Sequence, residues 1–463
     1  LELRHYQQTA VTNLRQRFQS GDNAVLFVLP TGGGKTFVFC YISLNAVQRG
    51  NNVLILVHRR ELLLQASASL SALGIDHGCI APGMPFNNKK VQVASTQTLV
   101  NRMHRMSWRP QLVIIDEAHH LTMKSTWGKI VDFYSDAKKL GVTATPCRLD
   151  GQGLGEHNDG IFQSMVVGPT IRELIDEGHL VQPKVYAPPT QLDLSHLKTA
   201  MGDFKKGDLG NFMDKPSITG NAVQHYKQLC DREPAIAFCA SVKHAEHVAE
   251  EFRQAGYVSH SLDGSMDGKI RKQLIHDLGI GKIHVLTSCD IISEGTDIPI
   301  VSAAILLRPT MSESLYLQQV GRVLRLYEGK ERAIILDHVG NCMRHDMPDA
   351  ERDWSLDAKK KTRRGSKDQE QAQPVRQCEQ CYSVHKPAPR CPQCGFLYPV
   401  TERQIQEVEG TLQEVDPAVV KKQRKQEQKM AKSLEELKAI EKARGYKSGW
   451  ARHVWKSRGN RAA

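Results

Sequence analysis

Residues Thr31-Gly32-Gly33-Gly34-Lys35-Thr36 stand between an apolar run and a helical one. Consecutive glycines let backbone N–H groups turn toward an anion, and a helix opening there adds positive potential. Lys35 would neutralise the β- and γ-phosphates of a nucleoside triphosphate, and the Thr36 hydroxyl would bind Mg²⁺. The glycine that usually opens such an eight-residue loop is Leu29 here. Asp116 and Glu117 close the apolar run Leu112–Ile115. Asp116 can hold Mg²⁺ through its waters, and Glu117 can orient and deprotonate an attacking water. His119 and His120 follow; one can relay toward Thr143-Ala144-Thr145, and either can simply be exposed. Arg322 and Arg325, three apart after an expected helix, present two guanidiniums on one face, where they can meet a phosphate.

A second constellation is Cys378-x-x-Cys381 with Cys391-x-x-Cys394, followed by Gly395. Two such hairpin knuckles set four thiolates tetrahedrally around Zn²⁺, a staple for a segment with almost no core. His385 could replace a cysteine, but four sulfurs already close the shell. An iron–sulfur cluster is the alternative metal group; a disulfide pair is disfavoured by compartment.

The elements that must position these groups follow a rhythm. Ala24–Leu29, Val53–Val57, Val91–Ala94, Leu112–Ile115 and Leu140–Thr143 read as buried strands, with helices such as Lys35–Gln48 and Glu61–Leu73 between them. This alternation implies a parallel sheet covered on both faces. A loop over 150–155, a helix at Thr170–Glu177 and an extended piece at Leu180–Ala187 interrupt it. The rhythm restarts with strands Ala235–Cys239, Val258–Leu262, Ile283–Thr287, Ala303–Leu307 and Ala333–Leu336, and helices such as Val242–Gln254 and Ser312–Val320. The expected domains are 1–180 and 181–345, then a polar linker over 346–376, a zinc ribbon over 377–400 and a basic helical tail over 401–463. In the tail, Asp416-Pro417 predicts the start of a helix running to Arg444, striped by Met430, Leu434, Leu437 and Ile440.

The chain has 463 residues and a net charge of +12. From Pro417 to Ala463 there are 14 Lys and Arg against 4 Glu, a balance of +10, so most of the excess lies in the last tenth of the chain. That tail is either a solvated helix or an arm for a polyanion. Near its end Tyr446, Trp450 and Trp455 interleave with Arg452, Lys456 and Arg458, which suits single-stranded nucleic acid, the rival being tryptophans that pack inward. No window approaches a membrane span, the first residues are not a signal peptide, and seven dispersed cysteines indicate a reducing cytoplasm. The chain opens without Met, so a few native residues are expected to be missing.

Thr31–Thr36, Asp116–His119, Thr143–Thr145 and Gln318–Arg325 resemble motifs I, II, III and VI of superfamily 2 DEAD/DEAH-type helicases. Arg4-His5-Tyr6-Gln7 resembles the segment whose Gln reads adenine; Val57–Leu62, Ser95–Thr98 and Ser293–Pro299 resemble motifs Ia, Ib and V. Leu307-Arg308-Pro309-Thr310 and the cysteine-bearing tail look most like bacterial RadD-type helicases and their phage relatives. The resemblance implies two tandem RecA-like domains, a P-loop that binds ATP and Mg²⁺, and hydrolysis of ATP to ADP and phosphate. It implies catalysis by Lys35, Asp116, Glu117, Gln318 and the arginine fingers Arg322 and Arg325. Nucleotide contacts would come from Gln7, Thr31, Gly32, Gly33, Gly34, Lys35, Thr36, Asp116, Gly295 and Asp297. Nucleic-acid grips would be Arg59, Thr96, Gln97, Ser241 and Thr287. The expected activity is a DNA helicase or translocase in repair or recombination, on single-stranded or branched DNA. An RNA helicase of the same superfamily and an ATP-gated clamp without strand separation are the alternatives.

Overall fold

Seven short apolar segments build the first sheet: β1 (Ala24–Val28), β2 (Val53–Val57), β3 (His77–Ile80), β4 (Val91–Ser95), β5 (Leu112–Asp116), β6 (Lys138–Thr143) and β7 (Ser164–Val167). The computed structural model describes residues 2–148, 151–187, 194, 197–200, 202–214, 216–289, 298–357 and 375–398, then 426–428, 430–431, 433–443 and 449–459. All strands of this sheet run parallel, in the order β3-β4-β2-β5-β6-β1-β7. Strands β1 and β2 are buried at every position, as helices on both faces require, and their unbroken runs of Val, Leu, Ile and Phe follow from that. Register aligns the ends that matter. Val28 pairs with Thr143, and Asp116 with Val142, so the loops leaving β5, β6 and β1 emerge side by side. β6 therefore stands between the strands carrying the phosphate loop and the two acids.

A second sheet follows, from β8 (Gln182–Tyr186), β11 (Ala235–Phe238), β12 (Ser259–Leu262), β13 (Val285–Ser288), β14 (Ala303–Leu306) and β15 (Arg332–Asp337), all parallel. A separate small hairpin joins β9 (Thr199–Ala200) to β10 (Asp203–Phe204). The second sheet does not end at β8. Strand β17 (Ser383–His385) pairs antiparallel with β8, and β16 (Arg376–Gln377) pairs with β17, extending the sheet to eight strands. The cysteine segment is thus built onto the second sheet, covering an edge that would otherwise offer unpaired N–H and C=O groups.

Residues 346–357, expected as linker, are a strap. Met347–Ala350 are buried, Arg352 reaches Glu313 and four backbone carbonyls, and Trp354 and Leu356 pack on the core around the first sheet. Gly155 N–H donates to the Leu356 carbonyl at 3.0 Å, His157 meets Asp357, and Arg172 pairs with buried Asp349. The apolar residues of the strap are too irregularly spaced among charges to show a helix or strand period.

The chain forms two compact units, residues 1–398 and 399–463. In the second, the helix expected to run unbroken to Arg444 is interrupted: Ala431 is not helical, and Ser433 caps a new helix, Leu434–Ala443, by accepting from Glu436 N–H. That helix packs on Trp450–Gly459 through Leu437, Ala451 and Val454, with Trp450 alongside. Glu441 caps the second helix by accepting from Gly449 and Ala451 N–H. Met430 faces solvent, so the apolar stripe does not extend that far. Tyr446 and the side chains of Lys456 and Arg458 lie outside the described residues, as does the tail before 426. Among the described residues no helix is long and apolar enough to cross a membrane.

Candidate active site

The loop after β1 is shaped by what surrounds it. Gly32 and Gly34 have φ of 89° and 85°, and Gly34 caps the helix Lys35–Gln48, turning backbone N–H groups inward. The glycines are crowded: a Cβ at Gly32 would strike Leu180, one at Gly33 Leu29, and one at Gly34 the Gln7 amide. The departure at Leu29 thereby acquires a role, since its buried side chain is the floor on which Gly33 rests. Tyr6 hydroxyl and Gln7 amide both donate to the Gly33 carbonyl, at 2.8 and 3.2 Å, and Gln7 accepts from Arg4 N–H. Gln7, expected to read adenine, thus has its Nε2 tied to the loop and its Oε1 to Arg4 N–H, whereas Arg4 lines the cavity. Lys35 donates to the Leu29 carbonyl at 3.2 Å. Burial lowers its pKa from the ordinary value, opposed by Glu117 and Asp116.

Glu117 adopts a left-handed φ of 50°, a strained turn in which its own N–H donates to the Asp116 carboxylate at 3.1 Å. Among the described residues, one buried Glu117 oxygen has no hydrogen-bond partner and lies 3.4 Å from His119 Nδ1. His119 Nδ1 is 2.9 Å from the Thr143 hydroxyl. That hydroxyl donates to the Thr145 carbonyl, so His119 carries its proton on Nδ1 and donates it to Thr143. Thr145 Oγ1 in turn meets Ser314 Oγ at 2.5 Å. A polar chain thus runs from Glu117 through His119, Thr143 and Thr145 to the second sheet's helix Glu313–Gly321. His120 instead packs its ring on His119 and His58.

That helix is buried on nearly all sides, as expected of one wedged between two bodies. A Cβ at Gly321 would strike Thr31 at 2.6 Å, so the second body touches the phosphate loop through a glycine. Arg322 and Arg325 follow directly. They line one cavity of about 490 Å³ together with Thr31, Gly32, Gly34, Lys35, Thr36, Asp116 and Glu117. Gln318 does not line it; the residue is buried and its Nε2 has no hydrogen-bond partner among the described residues. Gly295 and Asp297 lie outside the described residues. Loop amides, a lysine and two acids from the first body and two arginines from the second, lining one cavity, suit a Mg²⁺–triphosphate, and the Glu117 oxygen that makes no hydrogen bond among the described residues suits a proton acceptor.

The expected nucleic-acid grips divide. Val57 pairs with Ser95, bringing Arg59 and Gln97 together at adjacent strand ends. Gln97 is exposed and donates to the His58 carbonyl, while Arg59 is half-buried with Nε on His58 Nε2. Ser241 is half-buried and caps the helix Val242–Gln254 by accepting from His244 N–H. Thr96 and Thr287, by contrast, are fully buried, and the Thr287 hydroxyl donates to the Ala245 carbonyl at 2.7 Å. They support the surface rather than form it.

The four cysteine sulfurs lie within 4.8 Å of one another, with Cys378–Cys394 at 3.6 Å and Cys381–Cys391 at 3.7 Å. Tetrahedral Zn–S bonds of about 2.3 Å would separate sulfurs by roughly 3.8 Å, so the set fits zinc. Each knuckle closes alike: Tyr382 N–H donates to the Cys378 carbonyl and Gly395 N–H to the Cys391 carbonyl, both at 2.9 Å and both with positive φ. Desolvation works against the Cys378 thiolate, but hydrogen bonds from the Cys381 and Gln380 N–H groups and from the Cys394 and Tyr398 side chains together bring its pKa down to about 6. His385 is no ligand; its nitrogens bond the Lys386 carbonyl and the Tyr398 hydroxyl.

Two parallel sheets that share a triphosphate cavity, each contributing charge to it, define an ATP-driven motor. Known proteins agree. Residues 1–148 match the family model of the type III restriction enzyme res subunit, and 221–327 match the helicase conserved C-terminal domain. A 51.5 kDa protein of a Lactococcus phage is 32% identical over 90% of this chain and 87% of its own length. A Saccharomyces cerevisiae protein assigned as the ATP-dependent helicase IRC3 is 30% identical over 73% of this chain, which spans about half (51%) of that relative. By fold, a Vibrio vulnificus fragment assigned as the HsdR subunit of a type I restriction enzyme superposes with a TM-score of 0.58 at 21% identity, covering 75% of this chain and 66% of its own. The chain belongs to the superfamily 2 helicases and is an ATP-dependent nucleic-acid motor of that group.

Proposed function

We propose that this motor acts on DNA, as a helicase or translocase in repair or recombination, with single-stranded or branched DNA as its track. The observation that carries the reading is the shared cavity: Lys35, Asp116 and Glu117 from one lobe face Arg322 and Arg325 from the other. The lobes correspond to residues 1–180 and 181–345. DNA is favoured because a restriction-enzyme family model and a restriction-enzyme fold are among the matches, and restriction is chemistry on DNA. Mg²⁺, held by Thr36 and Asp116, would neutralise charge on the β- and γ-phosphates. Glu117 takes the proton of the attacking water, and His119, fixed by Thr143, steadies its carboxylate. Arg322 and Arg325 stabilise charge on the γ-phosphoryl group, an effect worth roughly 10³–10⁵-fold in turnover.

ATP, bound by both lobes, favours their closed arrangement, and hydrolysis releases it. DNA held by Arg59 and Gln97 on one lobe and Ser241 on the other is shifted with each cycle. Zn²⁺ on Cys378, Cys381, Cys391 and Cys394 stabilises the ribbon, and the basic tail adds an electrostatic hold. ATP turnover measured against single-stranded, duplex and forked DNA and matching RNA tests the reading, alongside strand displacement. Single-stranded or forked DNA is expected to stimulate most, and Lys35→Ala and Glu117→Gln to abolish turnover while retaining DNA binding. Full turnover in either variant, or stronger stimulation by RNA, would refute it.

A further inference from the structure

Lys330 lies in the turn before β15, and its side chain is directed entirely at main-chain oxygens. Its Nζ donates to the carbonyls of Pro299, Val301 and Arg325, at 3.1, 2.7 and 2.9 Å. An ammonium has three N–H donors, so its full capacity is used. Burial and then the neighbouring Arg325 charge pull its pKa down to about 7, with Glu233 opposing. A partly buried cation held by carbonyls is a costly arrangement and calls for a reason.

The acceptors supply one. Pro299 and Arg325 both line the triphosphate cavity, one at the end of the segment following β13 and the other just beyond the buried helix. Arg325 is also bridged antiparallel to Leu180, and Leu180 abuts Gly32 of the phosphate loop. Lys330 itself does not line the cavity. It fixes the Arg325 backbone from behind while the Leu180 bridge holds it in front.

We propose that Lys330 is a positioning residue for ATP hydrolysis, clamping the Arg325 carbonyl to the Pro299–Val301 segment so that the guanidinium is aimed at the transferring phosphoryl group. The proposal rests on the role assigned above to Arg325. The test is a double-mutant cycle on the full chain, measuring DNA-stimulated kcat and the KM for ATP in Lys330→Met, Arg325→Ala and the pair. A guanidinium displaced by about 1 Å loses on the order of 10²-fold in rate, so Lys330→Met should lower kcat on that scale and leave KM for ATP within about twofold. If Lys330 acts through Arg325, the double variant is no slower than Arg325→Ala alone. Should Lys330→Met not fold, Lys330→Gln, which keeps an N–H donor, takes its place in the same cycle. Wild-type kcat in the Lys330 variant, or losses that multiply in the double variant, would overturn the proposal. Full turnover in Arg325→Ala would overturn it together with the reading beneath it.

Discussion

Lys35 has opposing demands placed on it. The cavity that shields it from water lowers its pKa, and the nearby guanidiniums of Arg322 and Arg325 push the same way, while Asp116 and Glu117 resist. A triphosphate adds negative charge and must raise the pKa again. ATP binding therefore takes up protons in the window between the lowered value and the ordinary 10.5, and affinity falls as pH rises through it. In the unbound protein the unfolded chain binds the proton more tightly, so this group's contribution to stability increases with pH across the same window. Calorimetric ATP titrations over a pH series should show that loss of affinity in the wild type. Lys35→Arg, whose charge does not titrate, should flatten it. Equal pH dependence in both would show that Lys35 does not titrate on binding. The strained backbone at Glu117 belongs to this scale as well: one of its carboxylate oxygens makes no hydrogen bond among the described residues and lies 3.4 Å from His119.

Among the elements, the cysteine ribbon carries the clearest consequence. Ser383 and Val384 pair with Tyr186 and Val185, and Val384 enters the main core, so metal that orders the ribbon also protects a sheet edge. Chelation of Zn²⁺, or Cys391→Ser, should lower Tm by roughly 5 °C or more, since each 1 kcal/mol is worth about 2–4 °C in a large domain. Metal analysis should find zinc lost in parallel. An unchanged Tm in metal-free protein would mean the pairing is independent of the ion. Local elements were largely legible beforehand: β2 and the helices Lys35–Gln48 and Val242–Gln254 follow directly from apolar spacing and caps. The antiparallel join of β17 to β8 was not, because three residues carry no period and their partners lie about two hundred positions away. The placement of β6 between β1 and β5 was hidden for the same reason: strand order is a long-range property. Phosphate loop, acids and arginines were readable as motifs, whereas the roles of Ser314 and Lys330 became visible only once the fold set Ser314 on Thr145 and Lys330 on the Arg325 carbonyl.

At the scale of the whole unit 1–398, the first and second sheets meet around one cavity and are linked twice, by the segment from β7 to β8 and by the strap 346–357. Between them lies the helix Glu313–Gly321, whose Ser314 receives the polar chain from Glu117 and whose last glycine touches Thr31. Chemistry at the γ-phosphate and contact between lobes therefore share the same residues. The most direct measurement is single-turnover hydrolysis by an Arg322→Ala, Arg325→Ala double variant beside equilibrium ATP binding. Hydrolysis slower by about 10³-fold or more, with ATP still bound, is the predicted result. Hydrolysis at the wild-type rate would contradict a catalytic site shared by the two lobes.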